Sequence, residues 1–340
     1  MADRRYLICK GKAGLGNRLL SAASSILYAR ATGRTLLIDW RDKGYSQDGT
    51  NSWPKFFAQP TTFDPNDAAD VAMLDEVCAT QSVAPAIWHG HLDKSVDALM
   101  MHCGGDHDRD QDPKVIAKYT IDFARPSYAE RVLVRWCFVD EAFLLRPHLS
   151  GALRAMSAEE LIRHSLREHV VLAPHLQERV DAFRKQHFGE VTIGLHIRQS
   201  DRKLSFDRYP ALADRILKKH RDAVIFLATD NQDVEAYFRK RYPRVVTTEK
   251  WYAPPGMPLH RVRECPDKNE MGAAGLVDMY LLGACDYLVY NKNTSFGLCG
   301  NLLSNAPPER RFETSPLSET AVDFLRWLRR QVKQSLPIGR

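Results

Sequence analysis

The 340-residue sequence lacks several features that would assign a protein to a class at once. No apolar run reaches the ~18–20 residues that a membrane-spanning helix needs. The N-terminal stretch MADRRYLICKGKAG contains only a very short apolar segment, which is typical of a first β-strand and not of a secretory signal. We therefore expect a cytoplasmic protein, unless a leader was removed from the chain.

Cysteine pairs and basic clusters are both missing. The seven cysteines are widely spaced, their number is odd, and no C-x-x-C pair occurs. This pattern disfavours a disulfide framework and a zinc knuckle. The net charge of +6 is spread along the chain and mixed with acidic residues, whereas nucleic-acid-binding proteins usually concentrate basic residues in one patch. We expect no nucleic-acid partner.

The glycine-rich turn KGKAGLGNR fits neither standard nucleotide-binding fingerprint. A Walker loop, G-x-x-x-x-G-K-[ST], is absent, and a dinucleotide G-x-G-x-x-G would need glycine where Leu19 stands. What remains is a tight turn into a helix, with Asn17 as the predicted N-cap and Gly33 as the predicted C-terminal residue. Such a turn can bring backbone N–H groups against an anion, but an ordinary β-to-α connection has the same pattern.

The order of predicted elements indicates an α/β protein. Strand 5–10, the following helix and the strand TLLIDW form a βαβ unit, whose strands should be parallel. Residues 43–125 carry turn signals, and residues 128–188 predict mostly helix, including a Ser–Glu capping box in SAEELIRHSLREHV. From residue 191 onward, strands and helices alternate as in a doubly wound parallel sheet of the Rossmann type.

The length of the chain exceeds what one core usually serves, so we expect two Rossmann-type domains that face a central cleft. We place the N-terminal domain at residues 1–175 and the C-terminal domain at residues 176–316. The amphipathic segment 317–336 predicts a helix that packs back on the N-terminal domain. Ligands of such sheets bind beyond the carboxyl ends of the strands, so residues directly after each strand are the candidates for a site.

Several of these strand ends carry groups suited to an anionic ligand. VTIGLHIRQSDRK places His196 and Arg198 on one strand face, and a guanidinium can bind phosphate with two hydrogen bonds. NKNTSFGLCG places hydroxyl groups at a helix start, where the helix dipole favours anions. Asp278, in an apolar helix, needs a partner and can accept N–H groups from a purine such as guanine. Each feature alone also fits a surface ion pair, an N-cap or an internal partner. Together they predict a nucleotide diphosphate in the cleft.

The order of four motifs resembles that of the GDP-fucose-dependent fucosyltransferases. The motifs GLGNRLLSAASSILYARATGRTLLIDW, GLHIRQSD, IFLATDN and VDMYLLGACDYLVYNKNTSFG follow one another along the chain. Similar families are the rhizobial nodulation fucosyltransferases, the core α1,6-fucosyltransferases of N-glycans, and the plant xyloglucan and protein O-fucosyltransferases. The resemblance implies a GT-B-like fold and transfer of L-fucose from GDP-β-L-fucose to a glycan hydroxyl. It further implies inversion, an α1,6 or α1,2 linkage, and no metal or other cofactor.

The resemblance also implies roles for individual residues. The family's H-x-R motif falls on His196 and Arg198, and its guanine-contacting acidic residue falls on Asp278. Arg198 holds the β-phosphate and is the first implied catalytic residue; Asp207 is the second, as the base that takes the acceptor proton, with Asp39 as an alternative. The implied donor-binding residues are Gly14, Gly16, Asn17, His196, Arg198, Asp201, Asp230, Asp278, Asn293, Thr294, Ser295 and Phe296.

One position departs from the resemblance. Many relatives carry a second basic residue directly after the arginine, where this sequence has Gln199, so that phosphate neutralisation would rely more on Arg202 or Lys203. Three alternatives stay open: a GT-B enzyme that uses another nucleotide sugar, a non-catalytic nucleotide- or glycan-binding homologue, and a dinucleotide oxidoreductase. The broken glycine fingerprint disfavours the last.

The partners that the resemblance implies are GDP-fucose and an oligosaccharide or glycoconjugate acceptor, and peripheral association with a membrane is compatible with it. The loops of residues 43–125 should build the acceptor pocket. Their aromatic side chains either stack on sugar rings or pack in the core: Trp53, Phe56, Phe57 and Trp88.

Overall fold

The computed structural model describes residues 4–60, 72, 77, 79, 82–105, 109–110, 112–125, 127–137, 141–199, 206–254, 256–257, 262 and 264–315. Asp201, Arg202, Lys203 and the helix predicted at 317–336 lie outside these residues. None of the helices within the described ranges has the length and apolar content that crossing a membrane requires.

Strands and helices alternate along most of the described chain. The strands are β1 (Tyr6–Lys10), β2 (Thr35–Asp39), β3 (Phe57–Gln59), β4 (Val83–Ala84), β5 (Val132–Arg135), β6 (Val171–Leu172), β7 (Thr192–Ile197), β8 (Val224–Thr229), β9 (Val245–Val246), β10 (Tyr287–Tyr290) and β11 (Arg311–Glu313). The α-helices are α1 (Leu15–Thr32), α2 (Trp53–Phe56), α3 (Val96–His102), α4 (Pro113–Tyr119), α5 (Gly151–Ala155), α6 (Ala158–His169), α7 (Pro174–His187), α8 (Arg208–Leu217), α9 (Gln232–Arg241), α10 (Lys268–Gly283) and α11 (Ser295–Leu303). Short 3₁₀ segments cover Ala86–Trp88, Ala142–His148 and Pro308–Arg310.

The first sheet has the strand order β2–β1–β5–β4, and all of its strands are parallel. The predicted βαβ unit is confirmed. Helix α1 ends at Gly33, whose φ of 64° lies in the left-handed region that glycine adopts at little cost. Its start was predicted wrongly: the N-cap is Gly14, so Asn17 lies within the first turn. The backbone already turns at Ala13, with a φ of 61°, which brings the helix start forward.

Strand β5 is the main correction to the predicted elements. It lies in the segment 128–188, which the sequence pattern predicted as mostly helical. Its apolar side chains, in the run RVLVRW, are fully buried next to β1. A short buried strand shows no alternation of polar and apolar residues, so periodicity alone does not separate it from a piece of buried helix. The capping box of Ser157 and Glu160 at the start of α6 is confirmed.

The second sheet has the strand order β9–β8–β7–β10–β11, again with all strands parallel. In chain order this is 3-2-1-4-5, the order of a Rossmann sheet, and the predicted doubly wound arrangement is confirmed. The direction of winding reverses between β7 and β10. A crevice opens at such a switch point, because the connections of the two strands leave toward opposite faces of the sheet.

One hydrophobic cluster joins the two sheets. It contains Leu7 of β1 and Phe226 of β8 together with buried residues of α1, α10 and α11. Helix α1 packs on α11 so closely that a Cβ atom on Gly16 would lie 2.3 Å from the carbonyl carbon of Ser295. Since backbone atoms cannot move aside cheaply, only glycine fits at position 16. The starts of α1 and α11 therefore meet between the two sheets.

We predict that Gly16→Ala forces these two helix starts apart. The free energy of unfolding should fall by about 1–3 kcal/mol, because an added methyl group overpacks a backbone contact. Urea unfolding measures this loss. Gly300→Ala, also in α11, is the matched control: its Cβ would meet Leu282 at an ordinary 3.5 Å, so no destabilisation is expected. Equal stability of the Gly16 variant and the wild type would contradict the close contact.

Candidate active site

A cavity lies between the start of α1 and the carboxyl ends of the strands of the second sheet. Its empty volume, including the open mouth, is about 860 Å³. The predicted site residues that line it are Gly14, Gly16, His196, Arg198, Asp230, Asp278, Ser295 and Phe296. Residues of β7 and α11 meet here, at the switch point of the sheet.

Arg198 follows β7 and is held next to the end of β8. Its Nε lies 4.0 Å from Oδ2 of Asp230, and the other oxygen of this carboxylate accepts a hydrogen bond from the backbone N–H of Gln199 at 2.9 Å. The arginine side chain is about one-quarter exposed and lines the cavity. Asp230 therefore fixes the segment that carries the guanidinium, and an anion in the cavity can reach that guanidinium.

His196 is buried and neutral. Its ring stacks on Phe296 with centroids 4.9 Å apart, and its Nδ1 lies 3.5 Å from the hydroxyl of Thr294. Burial, together with the positive charges of Arg198 and Lys250, lowers the pKa of His196 to about 3. At neutral pH the cavity wall thus carries an uncharged imidazole, which can donate or accept one hydrogen bond at each nitrogen without adding charge.

The start of α11 forms another wall. Thr294 is the N-cap, and its hydroxyl accepts from the N–H of Gly297 at 3.1 Å and donates to the carbonyl of Asn291 at 2.8 Å. Thr294 and Asn293 do not line the cavity, whereas Ser295 and Phe296 do. The positive end of the helix dipole faces the cavity at Ser295, close to Arg198 in the same lining.

Asp278 lies on the side of α10 that faces the cavity and is 4% exposed. Oδ1 accepts a hydrogen bond from the hydroxyl of Thr248 at 2.5 Å, and Oδ2 forms an ion pair with Lys250. The buried carboxylate predicted to need a partner therefore has two, both from the segment that follows β9. A carboxylate anchored in this way can accept hydrogen bonds from N–H groups of a ligand through its remaining lone pairs.

The glycine turn before α1 closes the cavity on the side of the first sheet. Arg18 holds it: Nε donates to the carbonyl of Ala13 at 2.8 Å, and the guanidinium forms an ion pair with Asp42. The N–H of Leu15 donates to the hydroxyl of Tyr45 at 2.9 Å. Tyr45 itself lines the cavity, and so does Gly14, but Asn17 does not.

Comparison with known proteins assigns the family. The sequence profile described as Nodulation protein Z (NodZ) matches residues 3–108 and 151–307, which is more than half of the chain. The chain belongs to the NodZ family. The resemblance to fucosyltransferases of this kind is thereby confirmed at the level of the family.

Curated relatives of this NodZ-family chain come from rhizobia. Nodulation protein Z of Azorhizobium caulinodans is 26% identical over 325 residues, which cover 88% of this chain and 90% of that protein. Nodulation protein Z of Sinorhizobium fredii is 27% identical over 321 residues, with 86% and 88% covered.

Solved structures agree on the fold. The crystal structure of fucosyltransferase NodZ from Bradyrhizobium is 24% identical and superposes with a TM-score of 0.57, covering 88% of this chain and 94% of that one. The structure of the NodZ alpha-1,6-fucosyltransferase soaked with GDP-fucose gives a TM-score of 0.58 at 24% identity, with 88% and 93% covered. The predicted GT-B-like α/β fold is confirmed.

The two carboxylates considered as bases lie outside the cavity lining of this NodZ-family chain. Asp207 is exposed and directly precedes α8. Asp39 is buried: burial alone would raise its pKa, but Lys10 at 2.6 Å and two hydrogen bonds from Arg41 hold the pKa well below its usual range. Asp39 is therefore a poor proton acceptor, and the role of Asp207 stays a prediction.

The aromatic side chains considered for sugar stacking are core residues. Trp53, Phe56, Phe57 and Trp88 are at most 3% exposed, so they cannot present a ring face to an acceptor. Within the described residues, no group of three or more His, Cys, Asp or Glu side chains is placed to hold a metal ion.

Sequence reasoning missed several lining residues, chiefly Tyr45, Lys250, Trp251 and Met271. The sequence carried a signal for Lys250 and Trp251, because they follow strand β9 and ligands of parallel sheets bind beyond the ends of strands. No signal marked Tyr45, which belongs to the irregular segment after β2.

We predict that His196 contributes to the pH dependence of stability. Its folded-state pKa of about 3 lies below the unfolded value of 6.5, so its contribution is complete above pH 6.5 and is lost as pH falls from there toward 3. His196→Gln should reduce the slope of unfolding free energy against pH, between pH 5.5 and 4, by about 1.3 kcal/mol per pH unit. Urea titrations at several pH values measure the slope.

The exposed His175 of α7 supplies the control for this experiment. His175→Gln should keep the slope of the wild type. If His196→Gln also keeps it, His196 is not a buried neutral group.

Proposed function

We propose that this chain transfers L-fucose from GDP-β-L-fucose to a hydroxyl of an oligosaccharide or glycoconjugate, with inversion at the anomeric carbon and without a metal. Membership of the NodZ family supports fucosyl transfer, since solved NodZ relatives are described as fucosyltransferases, one of them soaked with GDP-fucose. That relative is described as an alpha-1,6 enzyme, and we extend the same linkage to this chain.

The observation that carries the proposal is the grouping of Arg198, Ser295 and Asp278 in one cavity. The guanidinium and the helix start favour a diphosphate, and the carboxylate favours the N–H groups of guanine. All three stand at the switch point of a Rossmann sheet, where such folds bind nucleotides. A dinucleotide oxidoreductase finds no support, because the cavity offers a carboxylate for the base of a guanine nucleotide and the glycine fingerprint is broken.

Cleavage of the bond between the fucose anomeric carbon and the β-phosphate oxygen leaves positive charge on the sugar and negative charge on GDP. Groups that bind the phosphate more strongly as its charge grows accelerate this step. Arg198 supplies a full positive charge, and the start of α11 supplies N–H groups and a dipole. His196, neutral at the operating pH, provides a hydrogen bond without changing this charge balance.

The acceptor hydroxyl attacks from the face opposite the leaving phosphate, which inverts the configuration, and it must lose a proton as the new bond forms. Asp207 is proposed as the group that takes this proton. It lies nine residues after Arg198 along the chain and is exposed. The cytoplasmic location and the domain boundaries at residues 175 and 316 are also predictions.

We predict that Arg198→Ala lowers kcat at least ~10²-fold, because it removes the main charge that stabilises the departing phosphate. Fucose transfer from GDP-fucose to a chitooligosaccharide or N-glycan acceptor measures this. Arg198→Lys should fall in between, since a lysine keeps the charge but loses the two-pronged contact. Arg244→Ala, at an exposed arginine, is the control and should keep wild-type turnover. Near-wild-type turnover of Arg198→Ala would rule out the phosphate role.

We further predict that GDP raises the melting temperature of the protein more than UDP, ADP or CMP does, because a ligand stabilises the state to which it binds. Differential scanning fluorimetry with the four nucleotides at equal concentration tests this. The shift and the transfer rate should both persist in EDTA. A larger shift with UDP would indicate another nucleotide sugar, strict dependence on Mn²⁺ or Mg²⁺ would reject the metal-free mechanism, and GDP binding without transfer would indicate a non-catalytic homologue.

A further inference from the structure

The wall of the cavity formed by α10 carries small residues next to its carboxylate. Met271, Ala274, Gly275 and Asp278 line the cavity at spacings that put them on one side of the helix. Ala274 and Gly275 are small, so α10 itself places no bulky side chain where a planar group would lie beside Asp278. The edge of such a group would contact the carboxylate of Asp278 and the polar atoms beside it.

Those atoms come from the segment after β9. Thr248 and Lys250 are two residues apart, and both side chains reach Asp278, the hydroxyl at Oδ1 and the ammonium at Oδ2. Lys250 is itself deeply placed, with 10% of its side chain exposed, and lines the cavity beside Asp278. Among the described residues, Asp278 is the ion-pair partner found for Lys250.

The ammonium of Lys250 has hydrogen-bonding capacity left for a ligand. An ammonium carries three N–H donors and no acceptor, and the contact with Asp278 uses one of them. Burying a lysine costs free energy, which the ion pair with Asp278 offsets only in part. A ligand acceptor in the cavity would occupy a second donor and lower that cost.

The segment that carries Lys250 is held by hydrogen bonds on both sides of residues 248–250. Arg239 donates to the hydroxyl of Thr247 at 2.7 Å, and the hydroxyl of Tyr252 donates to Glu235. Glu235 also accepts from Thr247 at 3.2 Å. Helix α9 thus holds the chain on either side of residues 248–250, so the ammonium is positioned before a ligand arrives.

Asp278 and Lys250 together present an acceptor next to a donor. The Watson–Crick edge of guanine carries two adjacent donors, N2–H and N1–H, followed by the acceptor O6. We propose that Lys250 donates a hydrogen bond to O6 of guanine while Asp278 accepts from N1–H and N2–H, which makes Lys250 a determinant of base specificity. This inference rests on the proposed use of GDP-fucose and adds a residue to that site.

The same arrangement rejects other bases. Adenine would place the N1 lone pair against the carboxylate of Asp278 and an N–H group against the ammonium of Lys250, so both contacts would be repulsive. Uracil matches O4 and N3–H, but its O2 would face the carboxylate. Leaving buried charges unpaired or opposed costs more than a lost contact, and it is this cost that gives selectivity.

The test compares GDP with 6-thio-GDP, which keeps N1–H and N2–H but replaces O6 by a weakly accepting sulfur. Isothermal titration of the full chain should show that the wild type binds GDP roughly 10- to 100-fold more tightly, the range of a hydrogen bond to a charged donor. Lys250→Met should lose this difference, binding both nucleotides about equally. Thr248→Val is the matched control: it removes the other partner of Asp278 and leaves Lys250 in place, so the ratio between the two nucleotides should stay that of the wild type.

Each alternative result has a distinct meaning. Equal affinities of the wild type for GDP and 6-thio-GDP overturn the inference without any variant. The inference is also overturned if Lys250→Met keeps the wild-type ratio of affinities, including the case in which both affinities fall by the same factor. It is overturned as well if this variant binds neither nucleotide at millimolar concentration. In each case Lys250 acts only on Asp278 or on the fold. Absence of GDP binding by the wild type would instead reject the proposed function, and the inference with it.

Discussion

The contact of Gly16 with the backbone of Ser295 is the constraint on which the rest of the site depends. It lets the starts of α1 and α11 meet with no side chain between them, so one hydrophobic cluster continues from the first sheet into the second. The glycine turn of one sheet and the helix start of the other then become two walls of a single cavity. Any larger residue at position 16 would separate these walls, and groups contributed by the two sheets could no longer contact the same ligand.

The cavity is built from charges that are paired before a ligand binds. Arg198 lies beside Asp230, Lys250 beside Asp278, and Arg18 beside Asp42. Each pair reduces the cost of burying its members and fixes their positions, which is the condition for strong electrostatic action on a developing charge. His196 differs from these charged residues, because burial and two neighbouring cations keep its imidazole neutral. Around Arg198 the cavity wall therefore carries a guanidinium and the start of α11, and the residue that follows Arg198 along the chain is the uncharged Gln199.

Local patterns were sufficient for much of the fold and for about half of the cavity. The βαβ start, the α6 capping box and the winding of the second sheet follow from periodicity and turn residues, which act over a few positions of the chain. Arg198 and Ser295 were found because they follow strands, and parallel strands bring their carboxyl ends to one edge. His196 was found because it lies in β7 two positions before Arg198, on the same strand face. Strand β5 was missed because a four-residue buried strand carries no alternation. For the aromatic residues Trp53 and Trp88, the sequence could not decide between two positions, because the residue type alone does not distinguish a ring in the core from a ring that faces a ligand.

The sequence by itself determined most of the element types, the parallel sheets and several polar groups at the strand ends, because these depend on neighbouring residues and on strand order. Only the tertiary structure decided which of these groups share a cavity. It brought Lys250 and Thr248 to Asp278 across about thirty residues of chain, and Tyr45 to the start of α1. It excluded Asp39, whose carboxylate is held by Lys10 and Arg41. Such pairings depend on distances between elements that are far apart in the chain, and those distances are set by packing rather than by any local pattern.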